Sequence, residues 1–442
     1  GSTPALNDTT HYFVDPGLLR LCAYRYSDST LLFASDQYLR GRQSSYGKDS
    51  LSWDPPTWML ISYGLGDLTP SQPEFTSVNL PAYGASILRE NWTESSQYGL
   101  LQYTQSKSHY EDAFGTFYLW DNGPWMVGNG YNIPAAKPTN QHSTLSFDNF
   151  SQNNSAGESL VFSSTLPDLK AAVVTGTPFT QMKHSRSMLW LPDEHTWLII
   201  DDIEANKKTH TLQLRWYVRG FTYKHNENQW IYKRVQNPDL LTITMFPQTE
   251  AQYSQINRNY DMEEWVSNAM GVEMDTSYGG IPTRLVTAVT STSGSNAPAL
   301  TREDFSGGTK IAFVSSNISY DCYLPLIGYE TISSETISLQ GIAACASGVY
   351  PEITRVLLIE GTSIAFQNIT FFKSEIPASI EINYPDKMIT IESTKNVEGL
   401  EVYWPQPVSS INENGIGIPF AQNGNTIIFS LSEGVHTLQI QN

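Results

Sequence analysis

Cysteine is scarce: three in 442 residues, at Cys22, Cys322 and Cys345. No two are spaced Cys-x-x-Cys, which excludes the usual zinc-ribbon and thioredoxin-like motifs. Cys322 and Cys345 could form a disulfide or remain two buried thiols, and the sequence leaves both open. Positive charge is short as well. The chain has 26 Lys and Arg against 44 Asp and Glu, a net charge of −18. That argues against nucleic acid and against anionic membranes as partners. No apolar run approaches the roughly 20 residues a membrane-spanning helix needs. Nucleophile-elbow, Walker-loop, His-Glu-x-x-His and EF-hand patterns are all missing, and no tandem repeat of useful period is visible. The opening Gly1-Ser2-Thr3 looks like a cloning remnant, so any signal peptide would lie outside this sequence.

What is abundant points the other way. Ser, Thr, Asn, Gly, Tyr and Trp are plentiful, 12% of residues are aromatic and only 16% are charged. Such a composition favours strands and turns over helices. Tyr and Trp suit sandwich cores and sugar-stacking surfaces alike. The length predicts two or three structural units. Charge is uneven: nine Lys/Arg against six Asp/Glu between Lys183 and Arg234, but four against thirteen from Asp321 onward. A polyanionic ligand would therefore meet the middle of the chain rather than its tail. The polar, Cys-poor composition favours an exported protein, secreted or periplasmic.

The pattern changes along the chain. "DPGLLRLCAYRYSDSTLLFASDQYLRGR" reads as helical, interrupted at Ser27-Asp28-Ser29. A second short helix is expected where Asp54 can cap and Pro55 can open the first turn, ahead of Gly64 and Gly66. From about Leu80 short apolar runs broken by turn residues predict strands. Asp121-Asn122-Gly123 reads as a hairpin turn, and "SMLWLPDEHTWLIIDDI" as another hairpin turning at Pro192 to His195. "HTLQLRWYV" alternates, with Leu212, Leu214, Trp216 and Val218 on one face. A long polar, acidic loop is expected around Gln248 to Gly280. The fold expected from these residues is mainly β: a large antiparallel sandwich with a helical N-terminal segment (1–75), the sandwich itself (76–372) and a small C-terminal β domain (373–442).

The densest cluster of chemically capable groups is "SHYEDAFGTFYLWDNG", with His109, Glu111 and Asp112 just before an aromatic strand. From these residues alone it is either a chemical site or a polar turn. His142, in "PTNQHSTLSFDN", is the other histidine in unusual surroundings. Histidines 184, 195, 210 and 225 read as structural or solvated.

Taken together, "LPAYGASILRENW", "YGLLQYTQSKSHYEDAFGTFYLWDNGPWMVGNGYN" and "PTNQHSTLSFDN" resemble the heparinase II/III-like polysaccharide lyases, which include alginate and oligo-alginate lyases. The similarity runs from about Leu80 to Arg219. It implies an α/α toroid followed by an antiparallel β-supersandwich and a small β tail. Residues 1–75 would then be the end of a toroid, the rest of it missing or supplied by a separate polypeptide. It also implies β-elimination at a uronic acid of an anionic polysaccharide, such as a glycosaminoglycan or alginate. A base takes the proton beside the carboxylate, a cation holds that carboxylate, and an acid protonates the leaving oxygen.

Carried over by position, His109 matches the catalytic histidine, Arg89 the arginine that ends the preceding strand, and Tyr131 falls near the catalytic tyrosine, so these three are the expected catalytic residues. Trp92, Trp125 and His142 are the expected substrate-binding residues. The family's metal positions read Glu111, Gly128 and His142 here. No cofactor is implied outright, and what remains is a degenerate divalent-metal site for zinc or calcium at Glu111 and His142, with Asp112 as a further donor. Two other functions fit the same resemblance: a non-catalytic carbohydrate-binding or partner subunit, and a uronyl epimerase.

Overall fold

The structure is a computed structural model that describes residues 16–36, 68–81, 84–93, 95–103, 114–121, 125–128, 139–152, 158–206, 208–218, 220–233, 239–258, 269–292, 299–315, 318–326, 331–334, 336–349 and 352–442. Its architecture is mainly β, with short N-terminal helices and large antiparallel sheets. The chain divides into two compact units. One comprises Gly1–Ala156, Thr211–Phe221 and Ser254–Asp275; the other comprises Gly157–His210, Thr222–Tyr253 and Thr276–Asn442.

In the first unit the expected helix break is present. Helix Pro16–Tyr26 ends at Ser27, whose φ is 52°. Asp28 then caps the helical residues 29–36: its Oδ1 accepts from the Thr30 amide at 2.8 Å and the Leu31 amide at 3.3 Å. Those amides are donors that a helix start would otherwise leave unsatisfied. The second expected helix, around residues 54–62, and the turn residues Asn122 and Gly123 lie outside the described residues. Among the described residues no helix is long and apolar enough to cross a membrane.

A nine-stranded sheet lies mainly in this unit. Its order runs Val78–Leu80, Ala85–Arg89, Tyr98–Gln102, Phe117–Trp120, Trp125–Gly128, His210–Val218, Ala269–Tyr278 and Ala251–Arg258, with Leu145–Phe147 added beside His210–Val218. The strand His210–Val218 alternates as expected, yet both of its faces are buried. The polar side chains are satisfied instead of solvated: Gln213 Oε1 accepts from the Asn149 amide at 3.1 Å, and Arg215 pairs with Glu273 and donates to Ser146 Oγ. Within the polar loop expected at 248–280, Ala251–Arg258 and Ala269–Tyr278 are strands. Val272, Met274, Thr276 and Tyr278 are buried in alternation, but acidic and small outward residues between them hide the period. Gly271 has to be glycine, because a Cβ there would come within 2.4 Å of the Trp216 carbonyl oxygen.

The second unit holds an eight-stranded and a fifteen-stranded sheet. Leu189, Leu198, Ile200 and Val286 of the former pack with Ile311, Phe313, Leu357 and Ile359 of the latter in one core, the arrangement of a sandwich. The hairpin turning at Pro192–Glu194 forms as expected, His195 closing it at φ 46°, and Trp190 and Trp197 stack across it at 4.5 Å. Cys322 and Cys345 face each other on neighbouring strands and form a disulfide. Two long strands, Glu352–Phe366 and Ile369–Asn383, pair with repeated bulges and carry a second core that runs on to Ile440. Residue 373 lies inside the second of these strands.

On the other face of the Met182–Leu191 strand lies a buried ionic group. Asp201 accepts from Arg186 Nε and a terminal nitrogen at 2.7 and 2.9 Å, and lies 2.6 Å from His184 Nε2. All three side chains are fully buried. Burial alone would push the Asp201 carboxyl up, but Arg186 and His184 outweigh it and hold it at about 2. Elsewhere in the unit Arg355 pairs with Asp168 at 2.6 Å and Asp193 at 3.0 Å. Glu381 accepts from the Asp168 amide at 3.0 Å, and burial together with the Asp168 carboxylate pushes Glu381 up to about 8.

Replacing Asp201 with Asn strands the Arg186 charge in the interior and should cost about 3–5 kcal/mol, read as a lowered urea midpoint. The wild-type contribution is fully present above the unfolded Asp range and is lost as pH falls toward 2. Glu381 has the opposite sign. Folded Glu381 keeps its proton to higher pH than the unfolded chain does, so its contribution falls as pH rises from about 4.3 to about 8. Glu381→Gln should flatten that slope and raise the relative melting temperature at pH 9. A slope identical to wild type would contradict the assignment.

Candidate active site

Four cross-strand partners form a row at one end of the first unit's sheet: Arg89 opposite Tyr98, Tyr98 opposite Trp120, and Trp120 opposite Trp125. The Tyr98 and Trp120 rings stack at 4.6 Å, nearly parallel. The Arg89 guanidinium lies 4.1 Å from the centre of the Tyr98 ring and 4.5 Å from that of Trp92, so two π-faces hold one cation. Trp92 is fixed in turn. Its indole N–H donates to the Phe75 carbonyl at 2.8 Å, and Phe33 and Phe75 meet its ring edge-on. Burial lowers the Arg89 pKa against the influence of Tyr98, and burial raises that of Tyr98 against the influence of Arg89. Tyr98 is thus a neutral phenol beside a desolvated cation. Trp125 shares the row by backbone register; its side chain is outside the described residues.

The opposite ends of these strands root the connections whose sequences contain His109 and Tyr131. Ala85, paired with Gln102, is four residues from Arg89, roughly 13 Å along a strand at about 3.3 Å per residue. Here the connection 104–113 leaves from Tyr103 and returns at Phe114, with the Gly115 amide donating to the Gln102 carbonyl at 2.8 Å. The connection 129–138 leaves from Gly128 and returns at Thr139. His109, Glu111 and Asp112 in the first, and Tyr131 in the second, lie outside the described residues.

Both connections are tied to the segment that carries His142. A single turn of 3-10 helix, Thr139–Gln141, brings the His142 amide to the Thr139 carbonyl at 3.1 Å, and the His142 side chain is fully buried. Next to it, Ser143 Oγ donates to the Gly128 carbonyl at 2.5 Å and accepts from the Tyr217 amide at 2.9 Å. Thr144 Oγ1 donates to the Phe114 carbonyl at 2.7 Å. Gln152 completes the tie, its amide group donating to the Phe114 carbonyl at 3.0 Å and accepting from the Phe114 amide at 2.8 Å. Tyr217 Oη reaches the Asn140 carbonyl. The roots of the His109 and Tyr131 connections are therefore tied to Ser143, Thr144 and Gln152, just after His142 in the chain, while Arg89 and Trp92 stand at the far end of the same strands.

The metal expectation meets a limited donor set. Gly128, at the family's aspartate position, offers no side chain, and its carbonyl already accepts from Ser143. Among the described residues no three His, Cys, Asp or Glu side chains gather as metal ligands. His142 is a described member of the expected set, and Glu111 is not described.

The sequence matches no protein-family model and no curated protein. Solved structures do match. A crystal structure of heparinase III shares 13% identity at a TM-score of 0.57, over 73% of this chain and 50% of that one. A mutant heparan sulfate lyase from Pedobacter heparinus shares 16% at 0.54, over 74% and 50%. A further heparinase III gene product shares 14% at 0.51, over 66% and 48%. In fold, the chain resembles the heparinase II/III-like polysaccharide lyases. It spans about half the length of these heparinase structures.

Reading the sequence by residue type overlooked Tyr98, Ser143 and Gln152. Tyr98 was within reach, since it opens the strand directly after the one ending in Arg89 and an antiparallel pairing puts the two opposite. Ser143 carries no signal of its own beside a histidine. Ser143→Ala would leave the Gly128 carbonyl and the Tyr217 amide buried without that hydroxyl, at a cost of about 2 kcal/mol. The check is the urea midpoint of the variant; an unshifted midpoint would mean this tie contributes nothing.

Proposed function

We propose that this chain is the β portion of a polysaccharide lyase that cleaves a uronic-acid-containing anionic polysaccharide by β-elimination. One observation carries the reading: within a fold like that of the heparinases, the roots of the His109 and Tyr131 connections are tied to one buried segment at His142. In this reading His109 and Tyr131 are the proton-transfer pair. One takes the proton from the carbon beside the sugar carboxylate, and the other protonates the departing glycosidic oxygen as the double bond forms. An imidazole and a phenol suit this exchange near neutral pH.

In this reading Arg89, Trp92 and Trp125 bind the polysaccharide, Arg89 as its cation. The domain division at 75 and 372, with a toroid remnant, a β-supersandwich and a small β domain, belongs to this reading. So does export, which the Cys322–Cys345 disulfide favours because such bonds persist in oxidising compartments.

A second reading, a non-catalytic carbohydrate-binding or partner subunit, is favoured by Gly128 at a ligand position. An epimerase would share the proton abstraction and return the proton to the other face.

The test is ultraviolet absorbance of the unsaturated uronate released from alginate, heparan sulfate, chondroitin and ulvan. His109→Ala and Tyr131→Phe should each lower kcat by about 10²–10⁴-fold on whichever polysaccharide is cleaved. Silence across the panel would favour the binding-subunit reading, and solvent deuterium entering an uncleaved polymer would favour the epimerase.

A further inference from the structure

The second unit contains a cavity of about 600 Å³ that shares no residue with the candidate active site. On the strand Met182–Leu191, residues 183, 185, 187 and 189 alternate onto one face, and all four line it. The inner face of a sandwich calls for apolar side chains at such positions. Leu189 conforms; Lys183, Ser185 and Ser187 do not. Ser185 Oγ donates to Thr175 Oγ1 at 2.9 Å, giving this wall a run of hydroxyls that leads inward from the exposed Lys183.

The facing wall is made by a distortion. The strand Glu352–Phe366 slips register between Leu358 and Gly361 and again between Gly361 and Ser363. Bulges of this kind re-aim side chains. Glu360 sits in the bulge at φ 44°, a left-handed conformation that non-glycine residues seldom adopt. Its amide donates to Ser379 Oγ at 3.1 Å. Gly361 allows the bulge to close on its neighbour, since a Cβ there would lie 2.5 Å from the Gln340 carbonyl oxygen. Both Glu360 and Thr362 line the cavity. Thr362 Oγ1 is buried with no hydrogen-bond partner. Burial raises the Glu360 pKa, and so does the charge of Glu392, which is itself held by the Ser164 hydroxyl and the Thr165 amide.

We propose that this cavity binds a small neutral saccharide of one or two rings. The volume lies within the range of about 300–1,000 Å³ typical of small-molecule sites. Its charges balance, Lys183 and Arg284 against Asp202 and Glu360, and Arg284 and Asp202 already bond each other at 2.7 and 2.8 Å. An ionic ligand gains little from such a wall. A fatty chain would bury Ser185 and Ser187 against hydrocarbon, which is costly for hydroxyls. A sugar edge supplies both donors and acceptors to the Glu360 carboxylate, the hydroxyls and Gln340, while Val173, Leu326 and Ile342 meet its C–H faces. No aromatic ring is among the lining residues, so affinity should be in the millimolar range. The site does not depend on the lyase reading.

The experiment is saturation-transfer NMR on the whole chain with maltose, cellobiose, glucuronic acid and octanoate as separate probes. A neutral disaccharide should bind saturably and better than the other two classes. Ser187→Leu, which fills the cavity, should weaken it at least tenfold, and Glu360→Gln at least threefold. Each variant's melting temperature shows that it is folded, and Glu360→Gln carries the test if Ser187→Leu does not fold. Absence of saturable binding by both disaccharides, equal affinity in the folded variants, or preference for octanoate or glucuronic acid would overturn the proposal. The readout is binding alone, so it stands apart from whether any polysaccharide is cleaved.

Discussion

A buried backbone group must find a hydrogen bond, and in the first unit one hydroxyl meets that requirement for two segments together. Ser143 Oγ donates to the Gly128 carbonyl and accepts from the Tyr217 amide. Around it, Thr144 and Gln152 do the same for Phe114. Unmet, each group would cost about 1–3 kcal/mol, so the segment at His142 is held in one arrangement rather than several. Two long connections, each carrying a residue suited to proton transfer, start or finish at the atoms so held. The rigidity of this segment comes from the hydrogen bonds that its buried amides and carbonyls must find.

The Arg89 row shows a second way to hold a charge. Tyr98 and Trp92 present π-faces to the guanidinium, and Trp120 stacks behind Tyr98. A cation held this way stays charged while losing part of its hydration. In the second unit the opposite solution appears. The Asp201, Arg186 and His184 group is sealed completely, so its bonds serve the fold and leave nothing to offer a ligand. Burial separates the two cases more clearly than residue type does.

The same principle explains which features were legible from residues alone. The helix break at Ser27-Asp28 follows from local capping chemistry, and the Trp-rich hairpin at 192–195 from local turn chemistry. Both formed as expected because their partners are neighbours in sequence. The strand Ala269–Tyr278 was obscured, since Glu273 and Asp275 interrupt the apolar signal and are tolerated only where the outward face has room or a partner such as Arg215. Arg89, Trp92 and His142 were visible as residue types in a family-like order. That Arg89 sits at the other end of the strands from the roots of the His109 and Tyr131 connections was not, because it depends on pairing register.

By itself the sequence determined the mainly-β class, the early helix with its break, and the order of segments that resembles the heparinase-like lyases. These depend on composition, alternation and turn residues, all properties of neighbours along the chain. Only the tertiary structure decided that Cys322 faces Cys345, that Ser143 ties Gly128 to Tyr217, and that a bulge turns Glu360 toward a cavity lined by inward serines. Each of those contacts joins residues far apart in sequence. Strand register, which fixes every side chain's face and neighbour at once, is set by the packing of whole sheets rather than by any local stretch.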